Sequence, residues 1–144
     1  MNMQDFINNI NNTQKIMSGK EYNLGNLIED LKQYKDKFLQ VEFDDGNVPT
    51  EFSSWRGSYC ELALEYSDEG ECYTDELYRK AFNVNGSMYE GYKGGEFIMD
   101  LETPIHQANY GETGVHNKKG DYICKKVIGI KEKDNKIIIK TRED

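Results

Sequence analysis

A glycine-rich segment with aromatic neighbours, Tyr89–Met99, constrains the fold more than any other stretch of the sequence. It reads YEGYKGGEFIM, and its first seven residues include three glycines, two tyrosines and one lysine. Because glycine tolerates positive φ, the segment predicts a tight turn before a strand, Glu96–Met99. The same residues suit a binding site, since N–H groups in a turn bind anions, Tyr89 and Tyr92 offer flat rings, and Lys93 offers a positive charge. Glycine-rich loops are weak signals alone, so both interpretations stay open.

Length and composition indicate one folded domain. The chain has 144 residues, of which 37% are apolar, 31% charged and 12% aromatic, and these aromatics argue against disorder. We expect an N-terminal helix or arm over residues 1–22 and a single domain over residues 23–144. The sequence contains no run of 18 apolar residues and no basic-then-apolar leader, so neither a membrane span nor a signal peptide is predicted. Three cysteines without a Cys-x-x-Cys pair predict reduced thiols in a cytoplasm.

Charge is distributed unevenly along the chain. The net charge is −8, and eleven acidic residues lie between Phe38 and Leu77, where Arg56 is the single basic residue. Between Val115 and Arg142 there are nine basic and three acidic residues. The overall acidity disfavours ordinary binding to a phosphate backbone. An acidic middle is compatible with mimicry of nucleic acid, and a basic end is able to attract a small phosphorylated ligand.

Hydrophobic spacing predicts an α+β fold. Asn23 is a suitable N-cap for a helix over Leu24–Lys35, and Thr74 for a helix over Asp75–Asn83. Extended segments are predicted at Phe38–Phe43, Val48–Thr50, Tyr59–Tyr66, Thr103–Gly111, Tyr122–Ile130 and Ile137–Lys140, with a hairpin tip at Asp134 and Asn135. Because helices and strands do not alternate regularly, we expect a mostly antiparallel sheet of about five strands with two or three helices.

A second chemically suggestive spot is Trp55-Arg56-Gly57. An indole beside a guanidinium suits stacking combined with a bidentate contact to phosphate or carboxylate. The alternative is a core tryptophan beside an arginine that pairs with one of the many local carboxylates. Both interpretations remain open from the sequence.

The sequence offers no positive indication of catalysis. His106 and His116 fit no metal-binding spacing, and a hydrogen-bonded or exposed histidine is the simpler interpretation of each. A Cys–His pair stays possible, although nothing in the sequence marks Cys60, Cys72 or Cys124 as a nucleophile. We therefore predict a protein that is not an enzyme and that has no cofactor and no metal site.

Three motifs in order carry a resemblance to small proteins encoded by bacteriophages and prophages. They are SWRGSYCELALEY at 54–66, YEGYKGGEFIM at 89–99 and TPIHQANYG at 103–111. The resemblance covers roughly residues 23–130. Its members are known mainly as hypothetical proteins, and small acidic phage proteins of this size often counter bacterial defence.

The resemblance implies two mechanisms. The first is an anti-defence sponge, similar to anti-Thoeris and anti-CBASS sponges, that sequesters a nucleotide immune signal without catalysis in the cytoplasm of the bacterial host. Its expected ligand-binding residues are Trp55, Arg56, Phe82, Tyr89, Tyr92, Lys93, Gly94, Gly95 and Asn109. Such sponges are usually homo-oligomers, with no direct contact to nucleic acid or membrane. The second is an acidic anti-CRISPR-like inhibitor that binds a host defence nuclease, and a phage interaction protein without a defence role is a further alternative.

Overall fold

A mixed six-stranded sheet with two helices packed against it organises the computed structural model of this protein. The structure describes residues 21–54, 61–86, 88–90, 96–98, 101–109, 114–116 and 119–143. The predicted N-terminal helix falls within residues 1–20 and lies outside the described residues. No helix in the described part of the chain is long and apolar enough to cross a membrane.

The described elements are two helices and ten strands. The helices are α1 (Leu24–Lys32) and α2 (Thr74–Val84). The strands are β1 (Gln40–Phe43), β2 (Val48–Ser54), β3 (Leu62–Ser67), β4 (Met88–Glu90), β5 (Glu96–Ile98), β6 (Ile105–Gln107), β7 (Val115–His116), β8 (Tyr122–Ile123), β9 (Lys125–Lys133) and β10 (Lys136–Glu143).

The main sheet has the strand order β1-β10-β9-β6-β3-β2. Two of its neighbouring pairs, β1–β10 and β3–β6, are parallel, and the other three are antiparallel. The pairs β4–β5 and β7–β8 form two further two-stranded sheets. The predicted α+β class is therefore confirmed, while the main sheet has six strands rather than about five and includes two parallel junctions.

Alternation along the strands separates a core face from an outer face. Val41 and Phe43 of β1 pair with Ile137 and Ile139 of β10, and all four side chains are almost completely buried. They join Leu62 and Leu64 of β3 and the apolar stripes of both helices in one cluster. The stripe of α1 consists of Leu24, Leu27, Ile28 and Leu31, and that of α2 includes Leu77, Ala81 and Val84. Both helices therefore cover the core face of the sheet.

The start of α1 confirms the predicted cap. The Asn23 side chain accepts a hydrogen bond from the Asn26 N–H at 2.8 Å, and the Asn26 side chain accepts one from the Asn23 N–H at 3.2 Å. The next N–H groups donate to the segment before β6, Leu24 to the Thr103 carbonyl and Gly25 to the Leu101 carbonyl. These bonds satisfy donors that a helix start leaves unpaired, and they fix α1 beside β6.

The predicted role of Thr74 as a helix cap is wrong. Thr74 is the first residue of α2, and the N-cap is Tyr73. The buried Thr74 hydroxyl instead donates to the Tyr34 carbonyl at 2.7 Å and accepts from the Leu39 N–H at 3.2 Å. Because both partners lie after α1, this hydroxyl joins the two helices through the segment that leads into β1.

The hairpin predicted at Asp134 and Asn135 is confirmed. Lys133 pairs with Lys136, and both turn residues have positive φ, 53° at Asp134 and 62° at Asn135. Two consecutive residues in this region form the type I′ turn that matches the twist of antiparallel strands, and Asp and Asn tolerate it. The pairing register shifts between Lys140 and Thr141, and the two strands stay paired beyond the shift as far as Glu143 and Lys125.

We expect Thr74→Val to destabilise the protein by about 1–2 kcal/mol, because the half-buried Leu39 N–H loses its hydrogen-bond acceptor, while the Tyr34 carbonyl keeps the bond that it accepts from the Lys37 N–H. Thr74→Ser retains the hydroxyl and is the matched control, with a smaller loss from the missing methyl group. Urea denaturation measures both variants. A free energy of unfolding for Thr74→Val equal to that of the wild type would contradict this account of the hydroxyl.

Candidate functional site

The described parts of the glycine-rich motif are two paired strands. Strand β4 pairs with β5 in antiparallel fashion, with Glu90 opposite Glu96 and Met88 opposite Ile98. This confirms the predicted strand over its described residues, Glu96–Ile98, while the predicted tight turn stays a prediction. Residues 91–95, which connect the two strands, lie outside the described residues. A binding site beside β4 and β5 therefore has to be identified from the elements that contact these strands.

Strand β2 lies beside this hairpin, and helix α2 lies beside β2. Strand β4 contacts β2, and α2 packs against the same strand. Strand β2 ends at Ser54, directly before Trp55 and Arg56. Helix α2 carries Phe82, whose ring is 59% exposed and lies 6.1 Å from the ring of Tyr78. The fold thus places the start of the Trp-Arg segment, the exposed Phe82 and the hairpin on neighbouring elements.

Most of the predicted ligand-binding residues lie outside the described part of the chain. Tyr89 is a residue of β4, and Phe82 belongs to α2. The predicted residues outside the described ranges are Trp55, Arg56, Tyr92, Lys93, Gly94 and Gly95. Their assignment to a ligand site stays a prediction.

Asn109 occupies a different region from the Trp-Arg segment. Its side-chain oxygen accepts a hydrogen bond from the Tyr66 N–H at 3.0 Å. Tyr66 pairs with Pro49 at one end of β2, whereas Leu62 pairs with Ser54 at the other end. At about 3.3 Å per strand residue, the two ends are separated by roughly 13 Å. Asn109 therefore has a structural hydrogen bond at the end of β3 remote from Ser54.

The two histidines have different environments. His106 is 1% exposed, and its Nε2 lies 2.9 Å from Oε1 of Glu61. His116 is exposed, and its ring packs edge-to-face on Tyr122 with 5.0 Å between the centroids. The predicted environments, hydrogen-bonded or exposed, are confirmed. Among the residues that the structure describes, no three His, Cys, Asp or Glu side chains are arranged to hold a metal ion.

The acidic middle and the basic end of the chain face each other across the sheet. Lys125 Nζ lies 3.7 Å from Asp45 and 4.0 Å from Asp44. Lys136 Nζ lies 3.4 Å from Glu42, because β1 and β10 are neighbours. Asp44 also accepts two hydrogen bonds from Thr141 of β10, one from its backbone N–H at 2.7 Å and one from its hydroxyl at 2.8 Å. Several carboxylates of the acidic middle are therefore compensated within the molecule.

The outer face of β9 and β10 remains basic. Lys133 pairs with Lys136 and Lys131 with Ile138, so these side chains share the face opposite the helices. A groove of about 330 Å³ runs along it, lined by Lys131, Lys133, Lys140, Ile138, Glu42, Phe43, Asp44 and Gly46. A groove of about 450 Å³ of mixed charge lies near the start of β9, lined by Asp44, Asp45, Asn47, His116, Ile123, Lys125 and Glu143. The first groove therefore combines three lysines with the carboxylates of Glu42 and Asp44.

Comparison of the chain with protein-family models, with curated proteins and with solved structures finds no match in any of the three.

Burial raises the pKa of the Cys72 thiol to about 12, and nearby carboxylates, led by Glu76, act in the same direction. A raised folded-state pKa contributes stability that is fully present below the unfolded-state pKa, 9.0, and that declines as the pH rises toward 12. We expect the wild type to lose stability relative to Cys72→Ala as the pH rises above 9, by up to about 1.4 kcal/mol per pH unit.

Urea denaturation at several pH values between 8 and 10.5 measures this difference. The comparison cancels the titration of other groups, which the two proteins share. A difference in the free energy of unfolding between the two proteins that stays constant over this pH range would contradict the raised pKa of the Cys72 thiol.

Proposed function

We propose that this chain is a phage-encoded anti-defence protein that binds a nucleotide immune signal and sequesters it without catalysis, in the cytoplasm of the bacterial host. The observation that carries the proposal is the packing of β4 and α2 against β2. This packing brings the hairpin of the glycine motif next to the strand that leads into Trp55 and Arg56. The resemblance of the three motifs to phage proteins supports the anti-defence role.

The residue types of the two motifs, together with Phe82, suit a nucleotide. Phe82 is a large apolar side chain held 59% exposed on α2, where its ring can stack on a base. Arg56 supplies a planar guanidinium whose N–H donors fit a phosphate, and Lys93 supplies a positive charge on a flexible side chain. Gly94 and Gly95 let a phosphate approach main-chain N–H groups closely. Stacking and phosphate contacts hold a ligand without bond cleavage.

The observed charges favour this proposal over mimicry of nucleic acid. A mimic needs a continuous, unpaired acidic surface. Asp44 and Asp45 lie near Lys125, Glu42 near Lys136, and Glu51 2.9 Å from Lys80. Carboxylates paired in this way attract a basic partner less strongly, because their field is partly cancelled. A homo-oligomer with ligand sites at subunit boundaries, as in the sponges that the motifs suggest, is part of the proposal.

We expect the purified protein to retain ADP-ribose or a cyclic dinucleotide through desalting and to release it chemically unchanged after heat denaturation. Mass spectrometry of the released small molecules measures both properties. Arg56→Ala and Tyr92→Ala should each weaken binding about 10-fold or more, because each removes a charge-assisted or stacking contact.

Arg79→Ala is the matched control, since Arg79 is an exposed arginine of α2 outside the three motifs. It should bind as the wild type does. Failure to retain either ADP-ribose or the cyclic dinucleotide would contradict ligand binding. Release of a cleaved nucleotide would contradict sequestration without catalysis.

A further inference from the structure

The groove of about 330 Å³ on the outer face of the sheet, called here the lysine groove, has three lysines without ion-pair partners. Lys131, Lys133 and Lys140 line it, and all three are exposed. None of them forms an ion pair with any residue that the structure describes. Lys131 and Lys133 lie about 7 Å apart along β9, since they are two strand positions apart. Ile138, which is half-buried, lies opposite Lys131 on the same face.

The two carboxylates of this groove are engaged by other groups. Glu42 lies 3.4 Å from Nζ of Lys136, and Asp44 accepts hydrogen bonds from the N–H and the hydroxyl of Thr141. These contacts cancel part of the field of the carboxylates, so the three unpaired lysines leave a surplus of positive charge in the groove. A partner surface that brings unpaired carboxylates therefore complements it.

The loop between β3 and α2 carries such carboxylates. Residues 68–71, called here the acidic loop, comprise Asp68, Glu69, Gly70 and Glu71, and all four are exposed. Gly70 has a φ of 91°, and a Cβ atom added to it would meet nothing within 4 Å. The turn at the tip of the loop therefore faces open space. Three carboxylates on a projecting turn match three lysines in a groove in both number and sign.

Hydrogen bonds hold the acidic loop in shape. The Glu69 N–H donates to Oγ of Ser67 at 3.1 Å, and the Tyr73 hydroxyl donates to the Glu71 carboxylate at 2.8 Å. Asp68, Glu69 and Glu71 form no ion pair within the described part of the chain. A loop that is already ordered loses little conformational entropy when it binds, and its charges are available to a partner.

The acidic loop and the lysine groove do not meet within one chain. The loop ends beside the free edge of β1, where the Val41 N–H donates to the Cys72 carbonyl at 2.8 Å and Gln40 forms a bridge with Tyr73. The lysines lie on β10 and β9, the next two strands of the sheet. Because no ion pair joins the two surfaces in one molecule, each is available to another copy of the chain.

We propose that the acidic loop of one copy of this chain docks in the lysine groove of a second copy. The contact joins two different surfaces, so each pair keeps one free loop and one free groove, and association continues as a ring or an open chain. The net charge of −8 opposes association at long range, but salt screens charges beyond about 8 Å at physiological ionic strength. This contact specifies the homo-oligomer of the proposed function, on which it rests, and involves none of the nucleotide-binding residues.

Sedimentation velocity of the wild-type full-length chain, over a series of protein concentrations, is the first test. We expect the average mass to exceed that of the monomer, to rise with concentration and to fall as NaCl is added, because salt weakens contacts between exposed charges. A monomer at every concentration in low salt would overturn the proposal. Nucleotide retention is measured on the same samples. Retention by a monomer would contradict the docking contact alone, and oligomers that retain no nucleotide would contradict ligand binding alone.

Charge reversal on either surface is the second test. Lys131→Glu and Glu69→Lys should each weaken association about 10-fold or more, because each places like charges in contact. Lys32→Glu and Glu29→Lys are the matched controls, since they make the same charge changes at exposed positions of α1, which covers the opposite face of the sheet. Both controls should associate as the wild type does. Thermal unfolding checks that each variant is folded, and wild-type association of either folded charge-reversal variant would overturn the proposal.

A mixture of the two charge-reversal variants identifies the occupant of the groove. Lys131→Glu retains the acidic loop, and Glu69→Lys retains the lysine groove, so an equimolar mixture should form a dimer that neither variant forms alone. Growth should stop at two copies, because the remaining loop and the remaining groove both carry the reversed charge. Absence of this dimer would overturn the proposal. Association that is lost in Lys131→Glu but kept in Glu69→Lys would show that the groove holds a different anionic surface, which would also overturn it.

Discussion

The parallel pairing of β1 with β10 is the interaction on which the rest of the fold depends. It joins segments that are nearly 100 residues apart and buries Val41 and Phe43 against Ile137 and Ile139. Closing so long a loop costs conformational entropy, which the burial of these four side chains offsets. The same pairing brings the acidic middle of the chain next to its basic end, so that Glu42 lies beside Lys136 and Asp44 contacts β10. Apolar burial and charge compensation therefore support one topology.

Local features of this fold could be predicted from the sequence, because neighbouring residues determine them. Asn23 caps α1, the Asp134–Asn135 turn forms a hairpin, and Leu62 and Leu64 face the core. Each follows from a preference that acts over a few positions. The strand order could not be predicted in this way, because it is set by contacts between distant segments. Thr74 illustrates the difference: its residue type favours a cap, but the Tyr34 carbonyl and the Leu39 N–H, which follow α1, offer its hydroxyl two hydrogen-bond partners.

The same distinction applies to the candidate sites. The sequence marks the glycine hairpin and Trp55-Arg56 by the residue types that lie side by side, and the fold adds that β4 and β2 are neighbours. The contacts of His106 with Glu61 and with Cys124 carry no such signal, because 45 and 18 residues separate the partners. Only the order of β3, β6 and β9 in the sheet brings them together.

The central claim is that Arg56 and the glycines of the YEGYKGGEFIM motif bind the same phosphorylated ligand. Titration of ¹⁵N-labelled protein with ADP-ribose and with cyclic di-AMP, followed by NMR, tests it most directly. The account predicts that the amide signals of Arg56 and Gly91–Gly95 shift together with one of these probes and saturate at the same ligand concentration. Shifts confined to one of the two segments, or to neither with either probe, would contradict it.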